Sequence, residues 1–253
     1  MLTDVDLTAE LAQHNRTGAN VTLALYAVED TSAYGVVPTD DEGRVEAFLE
    51  KTDDPPTNRI NAGAYVVERT VVEERIPAGR AVSFEREVFP GLVGDGLYGY
   101  AAAGYWIDIG TPERYLEATW DLLSGRPRST LPPRDETGSL IYENCLLSGA
   151  HVGPQSVLGR SCSVGTDARV ERSVLHERVL VGADATVVES VLGERVRVGE
   201  RARVDPRAVV GAAASVGDGA VVGDGARLDP GARVEPGATV EPGARIEPAE
   251  GVR

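Results

Sequence analysis

Glu50 and Lys51 stand side by side at the end of an expected strand, the place where α/β domains present ligand groups. A carboxylate can hold sugar hydroxyls in pairs, and a lysine is a point charge suited to a phosphate. Lys51 is also the only lysine in the chain. Asn61 and Gly63, within Ile60-Asn61-Ala62-Gly63, set an amide beside a backbone that a ligand can approach closely, and Gly35 lies in a further short run, Tyr34-Gly35-Val36-Val37. Asp108, between Ile107 and Ile109 and ahead of a capped helix, has the chemistry of a Mg2+ ligand, since magnesium needs only one or two protein carboxylates when phosphates fill its other positions. Each residue also has a plain structural alternative. Glu50 and Lys51 can be a solvated strand end, Gly35 a bulge or turn, and Asp108 a loop or capping carboxylate.

The elements that must position these residues alternate between strand and helix. Asp6 caps an expected helix over residues 7–15 that Gly18 closes. Strands are expected over 21–28, 34–38, 44–50, 60–68 and 97–103. Ser83 caps an expected helix running to about residue 92. Thr111-Pro112 opens another that ends at Gly125, with proline just inside the start and glycine just past the end. Residues 1–124 therefore form an α/β domain, and it begins mid-pattern, with no first strand and no glycine-rich turn. Residues 125–139, rich in Pro, Arg and Ser, have linker composition.

Residues 140–253 follow another rule. An aliphatic residue returns every six positions from Leu140 through Leu146, Val152, Leu158, Val164 and Val170 onward to Val252, with steps of five only at Val170 to Leu175 and Val187 to Leu192. The fifth position of each hexad is small or slender, as at Ala150, Ser156, Cys162 and Ala168. One large and one small inward position per six suits neither a helix nor a plain alternating strand. It is the hexapeptide β-helix pattern, about 18 residues per coil and roughly six coils. Glycine or an acid at the second position, as at Gly153, Gly159 and Asp205, is expected to supply corners with special backbone angles.

A net charge of −15 argues against a nucleic-acid backbone or an anionic membrane as partner, and no apolar run is long enough to span a bilayer, so a cytoplasmic protein is expected. Cys145 and Cys162 give no disulfide framework and read as free thiols. The flat sides of a hexapeptide coil favour a homo-oligomer.

Taken in order with Ser83-Phe84-Glu85-Arg86-Glu87-Val88-Phe89-Pro90 and Tyr105-Trp106-Ile107-Asp108-Ile109-Gly110-Thr111-Pro112, these stretches resemble the sugar-nucleotide pyrophosphorylases, within them most closely the mannose-1-phosphate guanylyltransferases. The resemblance implies an incomplete Rossmann-like nucleotidyltransferase domain followed by a left-handed parallel β-helix. It also implies joining of a sugar 1-phosphate to a nucleoside triphosphate with release of pyrophosphate. On the family pattern Asp108 is the second of two magnesium-binding aspartates, Lys51 meets the sugar phosphate, Glu50 the sugar hydroxyls, and Gly35, Asn61 and Gly63 line the sugar pocket. Thr52 departs from the proline usual after Glu-Lys. The family's glycine-rich nucleotide loop and first metal aspartate have no counterpart here and would precede Met1. The chain as written is therefore expected to be inactive alone, and a misplaced start within a longer reading frame is the expected cause. Two other readings stand beside this one. His151 and His176 could serve a hexapeptide acyltransferase, and the chain could be a non-catalytic scaffold or regulatory subunit paired with a full-length paralogue.

Overall fold

The computed structural model describes residues 1–50, 52 and 54–248, with only the backbone described at Glu50. The chain divides into two compact units, Met1–Trp106 and Ile107–Arg253. Among the described residues no helix is long and apolar enough to cross a membrane.

In chain order the first unit contains β1 (Leu2–Thr3), α1 (Leu7–Thr17), β2 (Val21–Ala27), β3 (Gly35–Val36), β4 (Leu49–Glu50), β5 (Arg59–Val67), α2 (Arg69–Arg75) and β6 (Leu97–Ala101). Five of the strands form one sheet in the order β4-β3-β5-β2-β6. Strand β6 runs parallel to β2, whereas β5 is antiparallel to both β2 and β3. Helix α1 starts where Asp6 accepts a hydrogen bond from Ala9 N–H and stops where Gly18 turns left-handed (φ 62°), two residues later than expected. Its buried face carries Glu10 and His14. His14 is held by Thr22 Oγ1 at 2.9 Å and Glu68 Oε1 at 3.2 Å, while both Glu10 oxygens are buried without a hydrogen-bond partner among the described residues.

Two expected elements change form. The strand over 44–50 is reduced to β4 plus single bridges at Val45 and Arg44, because Asp40 folds the segment into a turn by accepting from Glu42 and Arg44 N–H. The helix after Ser83 becomes a π-helical turn, Phe84–Val88, followed by a 3-10 turn, Pro90–Leu92. Pro90 has no N–H to continue an α-helix, so the ladder breaks there. The break seats Phe89, which is fully buried with Tyr65, Phe84 and Phe48 at centroid distances of 4.9, 5.5 and 5.7 Å. Helix α2 was not expected, and its start carries no side-chain cap.

The boundary falls within the short strand β7 (Trp106–Ile107), and the second unit continues through α3 (Pro112–Ser124) and then winds into a parallel β-solenoid of about six turns. Its three sheets hold six, seven and six short strands. Helix α3 is capped by Thr111 and Gly125 as expected, and packs on the solenoid: Trp120 donates to Arg172 O at 3.0 Å and the Arg172 guanidinium lies 3.7 Å over its ring. By contacts α3 thus belongs with the coil, although its sequence reads on from the strands before it.

From Leu158 to Val234 the six-residue steps realise the hexad pattern, with the first and fifth positions buried in one continuous core. At the two five-residue steps the small inward place is taken by Ser173 and Ser190, Val191 is only half-buried, and Val252 lies outside the described residues. The first coil differs by one residue. Leu140 pairs with Val157 and Leu146 with Ser163, so Ile141 and Leu147 hold the columns assigned above to Leu140 and Leu146. Backbone hydrogen bonds from Leu140 N to Ser156 O and from Leu146 N to Cys162 O fix that register, and a slip of one residue turns Leu146 outward, 66 % exposed.

The corners also correct an expectation. The left-handed residues are the fourth of each hexad, such as Ser161 (φ 58°) and Gly225 (φ 65°), whereas second-position glycines serve close approach of one coil to the next. A β-carbon on Gly217 would fall 2.4 Å from Pro236 N.

One seam of the coil is polar. Ser139, Ser156, Ser173 and Ser190 stack on successive rungs 17 residues apart, all fully buried, and each hydroxyl accepts the amide of the next serine. Ala208 and Ala226 continue the seam with no hydroxyl.

Candidate active site

The sheet brings four of the six singled-out residues together. In β3, Gly35 pairs with the backbone of Glu50 in β4, and the neighbouring Val36 pairs with Ile60 in β5, which leads into Asn61. The side chain of Glu50 and all of Lys51 lie outside the described residues. Asp108 belongs to the second unit and is described there.

Strand β5 is irregular where the candidates sit. Leu25 pairs with Asn61 and Leu23 with Tyr65, so the residues between Asn61 and Tyr65 bulge against the single Ala24. Gly63 occupies the bulge at φ 78°, a conformation that side chains rarely adopt, and is exposed beside the Met1 thioether. Asn61 closes the bulge by accepting Gly63 N–H on Oδ1 at 3.0 Å. Its Nδ2 donates to Tyr65 Oη and to Glu85 Oε1, both at 2.9 Å. Asn61 is only 8 % exposed, so its amide is spent on the protein.

An aromatic bracket flanks the bulge. Trp106 donates its indole N–H to Ala62 O at 3.0 Å, stacks on Tyr26 at 5.8 Å and meets the edge of Tyr34 at 5.4 Å. Tyr26 in turn donates to Gly104 O. The ring next to Gly35 is thereby tied to the strand that precedes Asp108 in sequence.

Asp108 is exposed, and its carboxylate is turned toward Gly110, where a β-carbon would come 3.2 Å from Oδ2. The residues that follow, Ile109 to Pro112 and Tyr115, line a cleft of about 350 Å³ against His176, Val191 and Val209 of the coil. His176 and His151 are both exposed on the coil surface. Glu113, in the first turn of α3, is held below the usual carboxylate range by backbone and Thr111 hydrogen bonds, with help from Arg227 and Arg207.

Comparison with known proteins accounts for both segments. A nucleotidyl transferase family model matches residues 1–125, and a GMPPB C-terminal domain model matches residues 141–225. The chain belongs to the nucleotidyl transferase family. Among curated members, a mannose-1-phosphate guanylyltransferase of Mycobacterium tuberculosis is 46% identical over 175 residues, 68% of this chain and 48% of that protein. A mannose-1-phosphate guanyltransferase of Schizosaccharomyces pombe is 35% identical over 61% of this chain and 42% of its own length. The catalytic subunit beta of a Drosophila pseudoobscura mannose-1-phosphate guanylyltransferase is 34% identical over 60% and 39%. The chain thus spans about half the length of the curated nucleotidyl transferases it matches.

Sequence reasoning missed Glu85 and Tyr65 as parts of this site. Glu85 stood inside a motif used for the resemblance, but nothing local marks it as a partner of a residue 24 positions earlier.

Proposed function

We propose that this chain carries the sugar-phosphate side of a nucleotidyl transfer, with GTP as the favoured nucleotide donor and mannose 1-phosphate as the favoured acceptor. In that reaction an acceptor phosphate oxygen attacks the α-phosphorus of the triphosphate, forming one P–O bond as the bond to pyrophosphate breaks. The reading is carried by the convergence of Gly35, Glu50 and the Asn61–Gly63 bulge on three neighbouring strands, in a chain whose relatives are named for this activity. Gly35 and Gly63 leave backbone open to a sugar, Glu50 meets its hydroxyls and Lys51 its phosphate.

Asp108 is the residue here that would hold magnesium. One exposed carboxylate fits an ion that takes most of its ligands from phosphate oxygens and water, and a bound ion would neutralise phosphate charge. The nucleotide-binding loop and first metal aspartate are not among these 253 residues, so on this reading the chain alone forms no nucleotide sugar. We place the reaction in the cytoplasm. Self-association through the coil is supported by Leu146 and Leu180, exposed on either side of Ser163 in one sheet. A full-length paralogue is the other partner this architecture would suit.

The test is calorimetric titration of the 253-residue chain with mannose 1-phosphate, glucose 1-phosphate and GTP. Uptake of the mannose ester ahead of the other two is expected. Pyrophosphate release from GTP and mannose 1-phosphate by the pure chain, abolished by Asp108→Ala, would overturn its assignment as the sugar side only.

A further inference from the structure

We propose that Glu85, together with Tyr65, is a positioning residue for the sugar-phosphate pocket: it clamps the Asn61 amide so that Asn61 holds the Gly63 turn open to the ligand. This rests on the reading of that pocket given above.

The hydrogen bonds admit only one orientation of Asn61. A carboxylate can only accept, so the atom facing Glu85 Oε1 at 2.9 Å must be the amide nitrogen. Gly63 N–H can only donate, so the atom facing it at 3.0 Å must be the amide oxygen. Without Glu85 the amide NH2 keeps only Tyr65 Oη as acceptor, so Asn61 is held less firmly and the closing bond of the bulge opens more readily. Tyr65 Oη receives the second amide proton at 2.9 Å. Burial and the nearby Glu85 charge raise the Tyr65 pKa, so its phenol stays neutral.

Glu85 reaches Asn61 because of the π-helical turn described above. Phe84, one residue before, packs on Phe89 in the core, so the turn is anchored on its apolar side while Glu85 remains exposed on the other. The clamp therefore joins the wall of the pocket to the hub of the first unit. Asn61 acts through Gly63, with its own amide fully committed to protein groups.

The experiment compares the full chain with Glu85→Gln, Glu85→Ala and Tyr65→Phe, by calorimetry with mannose 1-phosphate and by NMR-detected hydrogen exchange of the Gly63 amide without ligand. In Glu85→Ala, faster Gly63 exchange and at least about tenfold weaker binding are expected, the worth of one charge-assisted hydrogen bond. Glu85→Gln retains an acceptor oxygen and should restore both toward wild type, while Tyr65→Phe moves both in the direction of Glu85→Ala. Unchanged Gly63 exchange in Glu85→Ala overturns the clamp. Faster exchange with undiminished affinity overturns its role in binding. A wild-type chain that takes up no sugar phosphate overturns the pocket reading and the binding role with it, and the Gly63 exchange rates then still decide whether the clamp exists.

Discussion

The solenoid and the Met1–Trp106 unit bury their apolar surface in opposite ways. The coil spreads its core over many near-equivalent rungs, each Val, Leu or Ala touching only the coils beside it. The first unit gathers its core around a few large side chains, with Phe89 at the meeting point of Phe48, Tyr65 and Phe84. Stability in the coil is redundant and chemistry is sparse. In the first unit, the hub and the pocket wall share Tyr65 and the turn that carries Glu85, so packing and ligand geometry are linked.

Substitutions can test that contrast. Phe89→Ala should have the largest effect, about 3–5 kcal/mol, and should unfold the first unit in urea while the coil signal persists. Gly217→Ala forces a β-carbon against the backbone at Pro236 and should cost about 3 kcal/mol, read as earlier melting of the later coils alone.

Glu10 gives a pH test of the first unit. Burial raises its pKa from 4.5 to about 7, so the folded state favours the protonated carboxyl. This contribution is fully present below pH 4.5 and is lost as pH rises through about 7, amounting to at most about 3 kcal/mol. Glu10→Leu should flatten the stability of the first unit between pH 5 and 8, as followed by urea midpoints. Gly225→Ala should have the smallest effect, about 1 kcal/mol, because its left-handed corner is open and, among the described residues, none beyond its chain neighbours comes within 4 Å of the added carbon.

The same contrast explains what could be read in advance. Hexad spacing reports burial directly, so the columns from Leu158 onward were legible, as were Asp6, Gly18, Thr111 and Gly125 as helix ends. Leu140 and Leu146 kept the spacing but lost the face, because hydrogen bonds to Ser156 and Cys162 set the register of the first coil. The glycines of the second hexad position were legible as special, while the reason for them lay in the neighbouring coil. Helix α2 gave no capping signal, since the Glu68 before it turns its carboxylate to His14. In the candidate site, Gly35, Asn61 and Gly63 were marked by residue type and by resemblance. The Glu85 clamp was not, because a contact made across a bulge and a π-helical turn has no period to betray it.

The buried serine seam carries a consequence for how such a chain can lengthen or shorten over generations. Between Ser139 and Ser190 every rung is keyed to the next by a hydroxyl and a 17-residue interval, so an 18-residue duplication or deletion there breaks both the interval and the bond. Beyond Ala208 the seam is methyl only and the interval is 18, as where Glu200 N–H meets Asp218, so a whole coil can be added or lost in phase. Recombination can therefore edit the far end of the solenoid in units of 18 residues, while the coils nearest α3 accept only a 17-residue unit that carries its serine.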